Sequence, residues 1–268
     1  IIIDNIERNL MSVRKIIAAV TLVAGTLVGT FATTQAFAGD KIRIATEGAY
    51  APFNMKNEQG ELIGFDVEIA KALCAEMKAD CTIVEQDWDG MIPALKGRKF
   101  DAIVASMSIT EERLQAVDFT DPYYTNALAF VGAKGVELKT DKASLKGKTL
   151  GAQRATIAGQ YLEDELGDVV SVKLYDTQDN AYLDMATGRL DGLVSDKFPA
   201  YDWLRTDAGK GFEFKGETIK TESVDKIGIA IRHGQDDLKA KFNKALKAIV
   251  DNGTYATINA KYFPFSIY

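Results

Sequence analysis

Apolar residues recur along the chain in two alternating rhythms. Lys41–Thr46, "KIRIAT", alternates polar and apolar positions with the period of a strand. Residues 65–78 then set Ile69, Ala70, Leu73, Cys74 and Met77 on one side of a helix. "CTIVEQ" (81–86) predicts a second strand, residues 90–96 a helix and residues 100–105 a third strand. Residues 149–152 and "IGIAI" (227–231) are expected as strands, and 237–250 as a helix with Phe242, Leu246 and Ile249 on its apolar face. Strands alternating with amphipathic helices predict an α/β fold with mainly parallel sheets, whose ligands sit beyond the carboxyl ends of the strands.

One motif occurs twice. "GRKFDAIVAS" (97–106) and "GRLDGLVSD" (188–196) each place Gly-Arg ahead of an aspartate and an apolar strand that runs into serine. Both two similar α/β units and ordinary strand–helix–strand grammar produce such an echo. Boundaries fall near residues 127–133, followed by the polar, loop-like "VELKTDKASLKGK", and near 223–228. A chain that crosses at the first and returns at the second forms two lobes joined by two hinge strands, with a cleft able to close on a ligand. One lobe then holds residues 39–128 and 226–268, the other 129–225.

The first 38 residues stand apart from this pattern. Met11 opens a short basic segment with Arg14 and Lys15, an apolar run covers 16–28, and Ala36-Phe37-Ala38 closes it. That order reads as a secretory signal peptide over 11–38, cleaved after Ala38. The run is short for a membrane span and is broken by Gly25 and threonines. Residues 1–10 precede the start and read as an upstream extension that is not native. A net charge of −6, from 32 basic and 38 acidic residues, argues against nucleic acid as a partner. Cys74 and Cys81, in "CAEMKADC", meet an oxidising compartment after export. A disulfide is expected there, two buried thiols being the alternative. The single histidine, His233 beside Gly234, is expected in a surface turn and leaves no material for a His-dependent triad or a multi-His metal site. No catalytic residue, metal or cofactor is expected.

The chemistry concentrates in three stretches. "ASMSITEER" (105–113) puts Arg113 in the first turn of an expected helix, where the positive end of the helix dipole disfavours a cation. Ser108-Ile109-Thr110-Glu111 fits a capping box. Free N–H groups, serine hydroxyls and Arg113 would then converge on one spot suited to a carboxylate or phosphate. The plainer alternative makes Ser108 a cap and pairs Arg113 with a surface glutamate. Glu47 and Tyr50 in "TEGAYAPFN", and Trp88 in "QDWDGMIP", stand on loops at strand ends. Rings there stack on planar or cationic groups and Glu47 supplies a counter-charge, although core packing also accounts for Trp88. Asp196, after the echo strand in "SDKFP", suits either an ammonium group or a helix cap. Taken together these groups describe a receptor for an amino acid with a long basic side chain.

From Asp40 to Tyr268 the chain resembles the periplasmic polar-amino-acid-binding proteins of ABC importers (solute-binding protein family 3), in particular those that bind lysine/arginine/ornithine, histidine or octopine. "ATEGAYAPFN", "GELIGFDVEIAKALC", "WDGMIPAL", "FDAIVASMSIT" with Arg113, "SLKGK", "GTYATINAKYF" and the paired cysteines carry the resemblance. It implies a type II, Venus-flytrap fold and a monomer that closes on one amino acid and presents it to an inner-membrane permease without catalysis. It implies that Arg113 holds the α-carboxylate with Ser108 and Thr156. Asp196, the hydroxyl of Ser106 or Ser108 and the Ala105 carbonyl would take the α-ammonium. Gln153 would share the pocket, and the ligand side chain would lie between Tyr50 and Trp88, facing Glu47.

Some positions depart from the family pattern. Ala105 stands where serine is common, Glu47 where aspartate is common, and Ala155 where glycine is usual. Ile157 and Ala158 replace hydroxyl or amide side chains, and Arg154 occupies an often uncharged position. An Arg154 pointing into the cleft would favour a second ligand carboxylate, as in an opine; one pointing to solvent leaves arginine, ornithine or lysine. Glutamine binding is a further alternative. So is an enzyme resembling the cyclohexadienyl dehydratases of the same fold, although the Arg113/Asp196 pair suits a zwitterion better than that substrate class.

Overall fold

The computed structural model describes residues 39–219 and 226–268. The expected leader over 11–38, residues 1–10 and part of the second boundary region lie outside them. The strands begin with β1 (Lys41–Thr46), β2 (Ala49–Tyr50), β3 (Asn54–Lys56), β4 (Leu62–Ile63) and β5 (Asp80–Glu85). They continue with β6 (Ala102–Ile103), β7 (Asp118–Phe119), β8 (Tyr124–Thr125), β9 (Leu128–Ala133) and β10 (Thr149–Gln153). The last are β11 (Ser171–Tyr175), β12 (Gly192–Asp196), β13 (Phe212–Ile219), β14 (Lys226–Ile227) and β15 (Ala230–Ile231). Between them run helices α1 (Phe65–Met77), α2 (Met91–Lys96), α3 (Glu111–Leu114), α4 (Lys142–Leu145) and α5 (Ile157–Leu166). Then come α6 (Gln178–Ala186), α7 (Lys197–Trp203), α8 (Asp236–Asp251) and α9 (Thr254–Tyr262), and a 3-10 turn spans Trp88–Gly90.

Two five-stranded sheets organise two α/β lobes, in the orders β5-β1-β6-β15-β7 and β11-β10-β12-β9-β13. In each, β1 or β10 pairs in parallel with the strand on either side of it, and β15 or β9 runs antiparallel to both of its neighbours. The echoed motif supplies the same strand to each sheet, β6 and β12. Its aspartate does the same work in both: Asp101 accepts the Arg43 N–H at 3.0 Å and Asp191 accepts the Thr149 N–H at 2.8 Å, tying the echo strand to the start of its parallel neighbour.

Period-two alternation gives each sheet two apolar faces. Ile42 and Ile44 face Ile69 and Leu73 of α1 and Phe242, Leu246 and Ile249 of α8, whereas Ala45 and Ile103 face Met91 and Leu95 of α2. In the second lobe Leu150, Ala152 and Val194 pack on Leu162 and Leu166 of α5, and Val131 and Leu193 on Tyr182 and Met185 of α6. Gly64, at the head of α1, has φ +121°, and a Cβ there would lie 2.4 Å from the Phe53 carbonyl oxygen, so glycine alone fits.

Three expected elements differ. The strand over 100–105 keeps only Ala102–Ile103 in its ladder, because the chain turns at Ser106, whose φ is +55°. "IGIAI" divides into β14 and β15: Ile229 leaves the ladder to exchange hydrogen bonds with Thr120. The polar loop contains α4, whose N-cap Asp141 accepts the Ser144 N–H at 3.0 Å. Cys74 and Cys81 are disulfide-bonded and clamp α1 to β5. His233 is half-exposed, its Nδ1 3.2 Å from Asp118. Strands β8 and β14 pair antiparallel, Tyr124 opposite Ile227. Among the described residues no helix is long and apolar enough to cross a membrane.

Candidate functional site

Carboxyl ends of strands from both sheets meet at a cavity. Its lining is Glu47, Tyr50, Trp88, Ala105, Ser106, Ser108, Arg113, Gln153, Thr156 and Asp196, the ten positions expected from the sequence, together with Ile157. Glu47 follows β1, Trp88 follows β5, and Ala105 to Ser108 follow β6. From the facing lobe, Gln153 ends β10 and Asp196 ends β12.

Arg113 does not stand in a helix capped by Ser108. Thr110 is the N-cap, its hydroxyl accepting the Arg113 N–H at 3.1 Å, and Ser108 instead makes an isolated bridge to Ile227. The short α3 therefore carries Arg113 back over the serines. One guanidinium nitrogen donates to the Ser108 carbonyl at 2.9 Å and another to the Ala155 carbonyl of the opposite lobe at 3.0 Å. The guanidinium carbon lies 5.3 Å from the centre of the Trp88 ring, a cation–π contact. Burial pulls its pKa down to about 10 against the opposing fields of Asp196 and Glu112, so it stays cationic at neutral pH.

Trp88 serves both roles suggested for it. Its ring packs with Met91 and Leu95 in the core, while Nε1 donates to the Ala155 carbonyl at 3.0 Å. Ala155 can aim that one carbonyl at two donors because its φ is +55°, in the left-handed region where alanine is uncommon. The next residue, Thr156, caps α5: its hydroxyl donates to the Gln153 carbonyl at 2.6 Å and accepts the Gly159 N–H at 3.1 Å.

Two carboxylates occupy other parts of the wall. Asp196 stands at the head of α7 but makes no side-chain cap there; it accepts the Tyr50 hydroxyl instead. Glu47 is only 6 % exposed and accepts the Gln153 amide at 2.7 Å. Burial raises its pKa to about 7, outweighing the Gln153 bond, with Asp179, Asp89 and Asp87 adding to the rise. Arg154 lies outside the cavity lining and pairs across the lobes with Asp89, both side chains partly exposed. Gln160 also donates to Glu112 across the lobes at 2.9 Å.

Two residues near the site escaped sequence reasoning as participants. Ile157 forms part of the wall because it opens α5 directly after the Thr156 cap. Asp66 sits fully buried behind Ser106 and accepts its hydroxyl at 2.9 Å. Its place in the first turn of α1 already favours an acid, as it does for Glu68, so nothing local marks it out. Ala158 points into the lobe-two core rather than the cavity. Among the described residues, no group of three or more His, Cys, Asp or Glu side chains is disposed to hold a metal ion. What the cavity offers is a fixed cation, an acid at the end of β12, a second buried acid after β1, and two aromatic rings.

The sequence profile of the bacterial extracellular solute-binding proteins, family 3, matches residues 42–265. The chain is 45 % identical over 249 residues to the L-arginine-binding protein of Pseudomonas aeruginosa, covering 91 % of this chain and 96 % of that protein. It is 36 % identical over 259 residues to the lysine/arginine/ornithine-binding periplasmic protein of Escherichia coli, covering 95 % and 99 %. Among solved structures it resembles an ancestral arginine-binding protein bound to arginine, with a TM-score of 0.78 and 36 % identity, over 84 % of this chain and 99 % of that one.

Proposed function

The chain belongs to the bacterial extracellular solute-binding proteins, family 3, and from that membership we propose that it is a periplasmic receptor for a cationic amino acid, arginine foremost. Ornithine, lysine and histidine are the related ligands. The carrying observation is Glu47: an acid 6 % exposed, in a cavity that also holds Arg113 and Asp196, is stabilised in its ionised form by a ligand cation. Arg113 takes the α-carboxylate, with the main chain at Ser108 and Thr156. Asp196, the Ala105 carbonyl and Ser106 take the α-ammonium. The ligand side chain runs between Tyr50 and Trp88 to Glu47, with Gln153 beside it.

Hydrogen bonds across the lobes, from Trp88 and Arg113 to Ala155 and from Gln153 to Glu47, support closure as the step that buries the ligand. Closure is driven by whatever the ligand gains in the closed state over the open one. The protein acts as a monomer, hands its amino acid unchanged to an ABC permease, and reaches the periplasm by the signal peptide over 11–38. The lobes divide as 39–128 with 226–268 and 129–225; the pairing of β8 with β14 supports the crossing there. The Arg154–Asp89 pair, outside the cavity, favours ligands with one carboxylate over opines.

A thermal-shift series with arginine, ornithine, lysine, histidine, glutamine and octopine tests this reading. At a hundredfold excess over Kd, arginine should stabilise by about 2.7 kcal/mol, raising Tm by roughly 5–10 °C. A response to octopine or glutamine with none to any basic amino acid would overturn it, as would turnover of prephenate or arogenate.

A further inference from the structure

We propose that Asp66 is a positioning residue that fixes the polarity of the Ser106 hydroxyl, so that this pocket wall accepts a ligand N–H and cannot donate to a ligand oxygen. The proposal rests on the amino-acid-binding reading above and deepens it.

Asp66 is fully buried in the first turn of α1. Its Oδ2 accepts from the Ser106 hydroxyl at 2.9 Å and from the Asn54 amide at 2.9 Å, and its Oδ1 accepts from the Tyr123 hydroxyl at 2.6 Å. Three donors converge on one carboxylate, an arrangement that suits the ionised, acceptor-only form. Ser106 has a single hydroxyl hydrogen, and Asp66 takes it; what Ser106 presents to the cavity is its lone pairs. The same cluster holds the backbone in place. The Tyr123 oxygen accepts the Ser106 N–H at 3.1 Å, at a residue whose φ is +55°. The carboxylate thus dictates both where the hydroxyl stands and which way it can bond. An ammonium group beside Ser106 gains an acceptor; a carboxylate in the same place meets lone pairs. That orients the zwitterion, keeping its carboxylate on the Arg113 side.

Asp66→Asn reverses the polarity while nearly preserving shape. With its oxygen on Tyr123, the amide nitrogen would also meet the Asn54 amide, so every Asp66→Asn variant below carries Asn54→Asp, which gives that nitrogen an acceptor; it then faces Ser106 as a donor and frees the hydroxyl hydrogen toward the ligand. Isothermal titration of the wild type and of Asp66→Asn, Ser106→Ala and their combination would use two probes: arginine, and 5-guanidinopentanoate, which lacks the α-ammonium. Asp66→Asn should weaken arginine about tenfold and the des-amino probe less than threefold. Ser106→Ala should reduce the preference for arginine by a similar factor, and adding Asp66→Asn to it should reduce that preference no further. A proportionate loss for both probes in Asp66→Asn, or an Asp66→Asn effect that persists without the Ser106 hydroxyl, would overturn the assignment. Should Asp66→Asn fail to fold, an unchanged preference in Ser106→Ala overturns it equally. A wild type that binds no amino acid would remove the underlying reading instead, so the two failures are distinguishable.

Discussion

Glu47→Gln should make the protein more stable and a poorer receptor. The Glu47 pKa rises from 4.5 to about 7 on folding, chiefly through burial. Between those two values the folded state keeps a proton that the unfolded chain has already lost. The wild type therefore loses stability as pH rises through that window and none further above it, a total of roughly 3 kcal/mol. Glutamine carries no such dependence. Without ligand, Glu47→Gln should match the wild type near pH 4 and exceed it at pH 8, with a Tm higher by roughly 6–12 °C. Binding should change the opposite way. A cation at Glu47 requires the carboxylate, so arginine expels the proton, and its affinity for the wild type should fall about tenfold from pH 8 to pH 6 relative to the variant. At pH 8 the variant should lose at least about 2 kcal/mol, some thirtyfold, toward arginine and much less toward glutamine. Calorimetric scans from pH 4 to 8 and titrations at pH 6, 7 and 8 would measure both. A variant no more stable than the wild type at pH 8, or one with the wild-type pH slope for arginine, would refute the reasoning; subtracting the variant cancels Asp66, whose pKa burial raises to about 6.

Other substitutions probe the rest of the wall. Arg113→Lys loses the fork that reaches both the Ser108 and Ala155 carbonyls, and titration should show every amino acid weakened by some thirtyfold or more, glutamine included. Ala155→Gly relieves a left-handed residue and should raise the unfolding free energy by up to about 1 kcal/mol, whereas Ala155→Val should lower it by more than that in denaturant titrations. Replacing Cys74 and Cys81 by serine opens a loop of sequence separation 7, which should cost about 2.5 kcal/mol of stability in the same assay and leave arginine affinity within about twofold. Arg154→Ala removes a solvent-screened interlobe pair, so stopped-flow dissociation of arginine should accelerate by no more than about fivefold, and less at high salt.

The sequence was most legible where one residue type has few reasons to stand in its place. The strand at 41–46 and the helices around Leu73 and Leu246 follow from apolar spacing alone. The echo at 101 and 191 marked equivalent strands because an aspartate is needed in both to hold the start of the neighbouring strand. Polar residues at strand ends were legible as a set. Their bonding was not: Thr110 rather than Ser108 caps α3, a choice made when Ser108 entered the bridge to Ile227, a contact between residues far apart in the chain. The orientation of Arg154 depended on Asp89 in the other lobe. Asp66 was hidden for a similar reason, since its partners Asn54, Ser106 and Tyr123 converge only in the folded lobe. Local rules state what a residue can bond; the tertiary neighbours decide which bond it makes.

A crystal structure of the complex with arginine would bear most directly on the whole proposal. The ligand carboxylate should sit on the Arg113 guanidinium, its α-ammonium against Asp196 and Ser106, and its guanidinium between Tyr50 and Trp88 with the Glu47 carboxylate in hydrogen-bonding distance. Arginine bound with its carboxylate at Ser106, with its guanidinium away from Glu47, or outside the cavity would contradict it.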